Sequence, residues 1–280
     1  MKIIKQLFTV LFIATVFISC HTVSTPYQCP MKCEGEKIYN KPGACPVCKM
    51  ALEKVIQKSV SAKTNPSKND VNIVGAMKNV MRKGELYATI DIDTIENKQY
   101  LFGLGPVEYL TGEIMLMDGK GYKSFVVNDS TMQVIETFAM KAPFFGYATI
   151  ESWKETEIPD SILTIPQLED FLDLTTKDYP RPFLFKLTGT VDNASIHIVN
   201  LPKGTKVFSP EEAHQGQKNF TIKNTLVDML GFFSTEHKAI FTHHDTYVHI
   251  HLITGDKQKM GHLEELLLKK GTIKLFLPAN

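Results

Sequence analysis

Residues 242–262 read Thr242-His-His-Asp-Thr-Tyr-Val-His-Ile-His-Leu-Ile-Thr-Gly-Asp-Lys-Gln-Lys-Met-Gly-His262 and hold five of the chain's nine histidines. The middle of the stretch alternates: Val248, His249, Ile250, His251, Leu252. Side chains on an extended strand change face at every residue. Val248, Ile250 and Leu252 therefore share one face, and His249 and His251 share the other. Two imidazoles at i and i+2 stand about 7 Å apart at their Cα atoms, close enough to converge on one ion. Turn residues at Gly255-Asp256, with Gly261 beyond them, bring His262 back on a neighbouring strand. Three histidines with one coordination position open form the donor set of a catalytic zinc. The plainer reading, imidazoles decorating the polar face of a half-buried strand, suits a lone histidine better than an H-x-H pair with a third one hairpin away.

The rest of the chain sets bounds. At 280 residues it has length for one or two domains with a real core. Apolar content of 43% and charged content of 22% are ordinary for a globular protein. A net charge of +1 gives no support to a nucleic-acid surface. Arg82 and Arg181 are the only arginines, which weakens any function needing bidentate anion clamps.

At the amino terminus Lys2 and Lys5 precede an apolar run from Leu7 to Ile18, too short to span a membrane comfortably. It ends in Phe17-Ile-Ser-Cys20, which resembles a bacterial lipobox with Phe17 in the usual leucine position. The resemblance implies that residues 1–20 are a lipoprotein signal peptide, cleaved before Cys20. Cys20 would then be lipidated and tether an exported protein to a membrane of the cell envelope. The alternative is an ordinary anchor or signal with an incidental cysteine. No later segment reads as transmembrane.

The other cysteines, Cys29, Cys33, Cys45 and Cys48, cluster in residues 26–54. A C-x3-C and a C-x2-C knuckle flank a loop, a spacing that puts four thiolates on the corners of a tetrahedron. So small a module buries too little apolar surface to fold unaided, so a bound metal would be its main source of stability. Two disulfides are the alternative in an exported protein, although the short C-P-x-C loop disfavours an unstrained bridge. The segment is similar to the small heavy-metal-binding domain of copper-exporting ATPases and efflux adaptors. Tyr27, Cys29, Pro30, Met31, Pro42, Gly43, Cys45, Pro46, Cys48 and Met50 carry the likeness. Lys32-Cys33 replaces the usual H-P, trading a histidine for a thiolate. The likeness implies zinc or a soft ion such as copper, with Met31 and Met50 as further donors or as packing.

Residues 55–71 are polar and aperiodic, a linker. Alternating patterns then return at Leu86–Ile92, Glu113–Met117, Tyr122–Val127 and Phe183–Leu187, predicting strands. Helical spacing appears at Val74–Lys83, and at Ile165–Leu174, where Leu168, Phe171 and Leu172 make one stripe. Residues 72–280 thus read as a strand-rich α+β body.

Phe102-Gly-Leu-Gly, Leu110-Thr-Gly-Glu-Ile-Met-Leu-Met-Asp-Gly-Lys-Gly-Tyr, Val248-His-Ile-His-Leu-Ile-Thr-Gly-Asp and Gly261-His262 together resemble the acetolactate decarboxylase family. Leu187-Thr-Gly-Thr and Met229-Leu-Gly-Phe-Phe-Ser agree in order. The resemblance runs from about Ile73 to Pro278. It implies a mixed sheet plus a β-barrel-like half, and a dimeric assembly. It implies conversion of 2-acetolactate, or a related 2-hydroxy-3-keto acid, to acetoin and carbon dioxide at a zinc ion on His249, His251 and His262. Glu113 falls on the family's proton-handling glutamate. The arginine that stabilises substrate falls on His197, which keeps a hydrogen bond but loses the fixed charge and fork. The family's late glutamate has no match before Asn280, and Glu264 or Glu265 are the candidates to replace it. His237, His243 and His244 are further metal-capable side chains. The competing function is a non-catalytic metal-buffering lipoprotein on a decayed decarboxylase fold.

Overall fold

The computed structural model describes residues 27–28, 37–47, 49, 51–54, 69–238, 240, 242 and 246–279. The signal-peptide and lipidation reading at Cys20, the ligand readings for Cys29, Cys33 and Cys48, and those for His243 and His244 lie outside the described residues. The chain divides into two compact units, Met1–Thr64 and Asn65–Asn280.

In the small unit β1 (Tyr27–Gln28) pairs antiparallel with β2 (Glu53–Lys54). Tyr27 and Tyr39 exchange backbone hydrogen bonds at 2.7 Å in both directions. Cys45 is buried against Leu52, with Tyr27 and Tyr39 packed on the pair, and it carries a free thiol. After Cys45 the chain doubles back: the Lys49 N–H donates to the Cys45 carbonyl over 2.9 Å, with Lys49 at a φ of 62°. That tight turn is what a C-x2-C knuckle needs to aim two sulfurs at one point.

The large unit begins with β3 (Asn72–Gly75), α1 (Met77–Lys83), β4 (Ile90–Asp91), β5 (Leu101–Pro106) and β6 (Glu113–Met117). It continues through β7 (Lys120–Asn128), β8 (Thr131–Glu136), β9 (Lys141–Ala142) and β10 (Phe144–Thr149). The second half runs β11 (Trp153–Thr156), α2 (Ile165–Thr175), β12 (Phe183–Ile198) and α3 (Pro210–Ala213). It ends with β13 (Lys218–Phe233), β14 (Val248–Thr254), β15 (Met260–Leu268) and β16 (Lys274–Pro278).

Two six-stranded sheets result, ordered β3-β10-β5-β6-β7-β8 and β11-β16-β12-β13-β14-β15. The strand-rich α+β class is as expected. All pairs between these strands are antiparallel, so the first sheet is antiparallel where a mixed one was expected. The reason is local: its connections include tight hairpins rather than crossovers. Asp118-Gly119 joins β6 to β7 with both residues at positive φ, 50° and 74°, the twist a two-residue hairpin prefers. The barrel-like half comes from β12. Its first part pairs with β16 and its second part with β15, while β13 runs along its other edge. Strands β12 to β15 thereby close on one another.

The barrel interior is filled by Phe185, Leu187, Val191, Ala194, Ile196, Ile222, Val227, Ile250 and Leu252. Helix α2 lays Leu168 and Leu172 against it. Its first turn is closed by a capping box between Thr164 and Gln167, in which Gln167 Oε1 accepts the Thr164 N–H at 3.2 Å. A second core lies between the two sheets. Phe102, Leu104, Met115 and Phe144 of the first meet Leu184, Leu230, Phe232 and Met260 of the second. Gly146 permits the approach, since a Cβ there would stand 2.7 Å from the Phe232 ring. The seam between the sheets carries the site.

Two predicted elements are shorter than their patterns. Of Leu86–Ile92 only Ile90–Asp91 is strand, because the Asp91 side chain accepts from the Asp93 N–H at 3.2 Å and turns the chain. Val74 belongs to β3, and helix α1 starts after Gly75, whose φ of 70° breaks the period.

Candidate metal centre

Strand β14 is buried along its length, but its faces differ in chemistry. Val248, Ile250 and Leu252 enter the barrel core, so His249 and His251 face outward toward the first sheet. The turn to β15 is held by the Thr254 hydroxyl, which donates to Asp256 Oδ1 over 2.6 Å, and by the Lys257 N–H to the Thr254 carbonyl at 2.8 Å. It sets His262 directly opposite His251. Ring centroids are 5.1 Å apart for His249–His251, 4.9 Å for His249–His262 and 5.5 Å for His251–His262. One ring nitrogen from each lies within 4.8 Å of the others, a group that can hold a metal ion. All three side chains are buried. Three imidazole nitrogens around a common point match the chemistry of zinc and neighbouring divalent ions.

Glu113 opens β6 and reaches this group across the seam. It is 2% exposed. Its Oε1 accepts the Val199 N–H at 3.1 Å, and its Oε2 stands 3.6 Å from His251 Nε2. Burial holds its carboxyl well above the usual carboxylate range; the Val199 bond opposes that and the nearby Glu264 charge adds to it. His197 sits on β12 opposite His262, its ring 4.7 Å from the His262 ring. Its Nδ1 contacts Glu264 Oε1. The structure thus separates the two carboxylates the sequence left level: Glu264 turns onto His197, whereas Glu265 takes the ladder position opposite Ser195. His237 stands apart from the trio, with its Nδ1 2.8 Å from Ser234 Oγ.

Glu113, His197, His249 and His262 line one cavity of about 30 Å³ with Met77, Met81, Phe144 and His214. His214 escaped the sequence reading. It follows α3, with its ring 6.0 Å from that of His197. Burial, and then the proximity of His197, push its pKa down. The only local signal was the Ser209–Glu212 capping box of α3, which marks a helix start and says nothing of where it docks. A larger cavity of about 700 Å³ lies among Tyr87, Tyr109, Leu201 and Lys203. Among the described residues its lining has no histidine, cysteine or carboxylate, so size does not mark the chemistry.

Residues 73–277 match the family model for alpha-acetolactate decarboxylase. The chain belongs to the alpha-acetolactate decarboxylase family. Residues 27–55 match the heavy metal binding domain. Among relatives, the alpha-acetolactate decarboxylase of Brevibacillus brevis is 24% identical over 213 residues, 75% of this chain and 71% of that one. The enzyme of the same name from Methanosarcina mazei is 26% identical over 183 residues, 62% of this chain and 58% of the relative. The acetolactate decarboxylase structure from Bacillus subtilis subspecies spizizenii superposes with a TM-score of 0.60 at 19% identity, covering 75% of this chain and 87% of that one. A Staphylococcus aureus protein of unknown function similar to alpha-acetolactate decarboxylase gives 0.60 at 15% identity, covering 73% and 84%. These likenesses show the fold, and the family is one of decarboxylases, lyases by reaction class. Within the alpha-acetolactate decarboxylase fold, the described trio, Glu113 and His197 meet at the seam of the two sheets.

Proposed function

We propose that the body decarboxylates 2-acetolactate, or a related 2-hydroxy-3-keto acid, to acetoin and carbon dioxide with a zinc ion held by His249, His251 and His262. The observation that carries this reading is the convergence of three buried imidazoles within 4.8 Å, beside a buried carboxyl that a metal-storage role does not require. When bound, such an ion supplies a Lewis acid toward the ketone and hydroxyl oxygens of the substrate. The chain does the rest. Glu113, fixed through Oε1 by Val199, holds a proton at Oε2 and delivers it to the carbon that carbon dioxide leaves. His197, beside His262 in the lining of the cavity, contributes a hydrogen bond to the substrate. Met77, Met81 and Phe144 line the cavity with apolar surface, which keeps competing water off the reacting carbon. The test is acetoin formation from 2-acetolactate by zinc-loaded protein and by the same protein after chelation. Bound zinc without turnover overturns the reading.

A second reading has its own support in the heavy metal binding domain at residues 27–55. There Cys45 is buried at the head of a tight turn. In this reading the four cysteines take zinc or a soft ion such as copper, and the protein passes or buffers metal. The lipobox-like Phe17–Cys20 supports tethering of either kind of protein to the bacterial envelope. Family membership supports a homodimer.

A further inference from the structure

Glu264 occupies an irregular place in β15. Leu263 lies opposite Ile196 and Glu265 opposite Ser195, so Glu264 is the extra residue of a β-bulge. Bulges re-aim the side chain they carry. Here the carboxylate turns onto Nδ1 of His197. His197 is only 3% exposed and lines the cavity with Glu113, His249 and His262. It is confined by the His262 ring at 4.7 Å and by the His214 ring, edge-on at 6.0 Å. Glu264 itself reaches solvent, with its side chain 41% exposed. An ionised carboxylate only accepts hydrogen bonds, so Nδ1 carries the hydrogen of this contact and Nε2 is the ring nitrogen left for a ligand.

We propose that Glu264 is a positioning residue: by holding Nδ1 it fixes the His197 ring so that Nε2 is presented for a hydrogen bond to a substrate held at the histidine trio. The substrate clause rests on the decarboxylase reading; the locked ring does not.

The test uses the full chain, zinc-loaded and labelled with nitrogen-15 histidine. Long-range proton–nitrogen correlation reads the tautomer of each ring, and His197→Gln identifies the His197 signals by their loss. Wild-type protein is expected to show His197 with hydrogen on Nδ1. Glu264→Ala is expected to lose that fixed tautomer, and Glu264→Gln, which keeps an acceptor oxygen, to retain it. With 2-acetolactate, Glu264→Ala is expected to lower kcat about tenfold or more at little change in KM, with Glu264→Gln largely rescuing the rate. A His197 ring with hydrogen on Nε2 alone in the wild type overturns the proposal, as does an unchanged state of the ring in Glu264→Ala. The expected tautomers without any turnover support the locked ring while overturning the decarboxylase reading.

Discussion

Glu113 is the side chain at which holding a metal and doing chemistry separate. Glu113→Gln keeps the shape and the bond to Val199 but removes the acid. It is expected to leave zinc binding intact and to lower kcat by about 10²- to 10⁴-fold, read by metal analysis alongside acetoin assays. His251→Ala acts on the other function. It is expected to lose about one equivalent of zinc per chain and all turnover, while the cysteine module keeps its metal. The histidine trio was legible because strand alternation dictates which imidazoles share a face, and Gly255-Asp256 announces the hairpin. Glu113 and His197 needed the family likeness, since a carboxylate on β6 and an imidazole on β12 are brought to the trio by sheet packing that no local pattern encodes. His214 had no signal of either kind. Glu264 was visible only as one of two equal candidates, because alternation assumes a regular ladder and the bulge breaks it.

At the scale of elements, the site depends on how closely β15 approaches β12. A Cβ on Gly261 would stand 2.5 Å from the His197 carbonyl oxygen, a contact that forces the strands apart. Gly261→Ala is expected to cost about 1–3 kcal/mol and to weaken zinc affinity, because His262 and His197 flank that contact; thermal unfolding and zinc titration check both. Helix α2 tests the barrel independently. Leu172 is fully buried against the barrel, so Leu172→Ala is expected to cost about 2–5 kcal/mol and lower Tm by roughly 5–15 °C. That loss is expected without a change in metal stoichiometry. The stripe of α2 was readable because Leu168 and Leu172 form its buried face, whereas β6 is buried on both faces. The span Leu86–Ile92 misled because the Asp91 turn ends its strand after two residues.

Across the whole molecule, two modes of stabilisation sit on one chain. The body has extensive cores within the barrel and between the sheets. Among the described residues, the small unit has Cys45 and Leu52 with two tyrosines packed on them, little apolar burial for an independent fold. Chelation is therefore expected to leave the body's near-ultraviolet circular dichroism largely in place while exposing Cys45 to thiol reagents; loss of the body signal would show that its metal is structural. The strand-rich class was evident from composition and alternation. The closing of β12 onto both β15 and β16 was not, because it depends on pairings far apart in sequence. The claim on which the rest depends is that three imidazoles grip one divalent ion and leave it a position for substrate. Anomalous diffraction at the zinc edge from zinc-soaked crystals tests it most directly. The expected result is a peak about 2.0–2.1 Å from one nitrogen each of His249, His251 and His262, with solvent completing the coordination. A peak confined to the cysteine module, or a fourth protein ligand closing the body site, would contradict it.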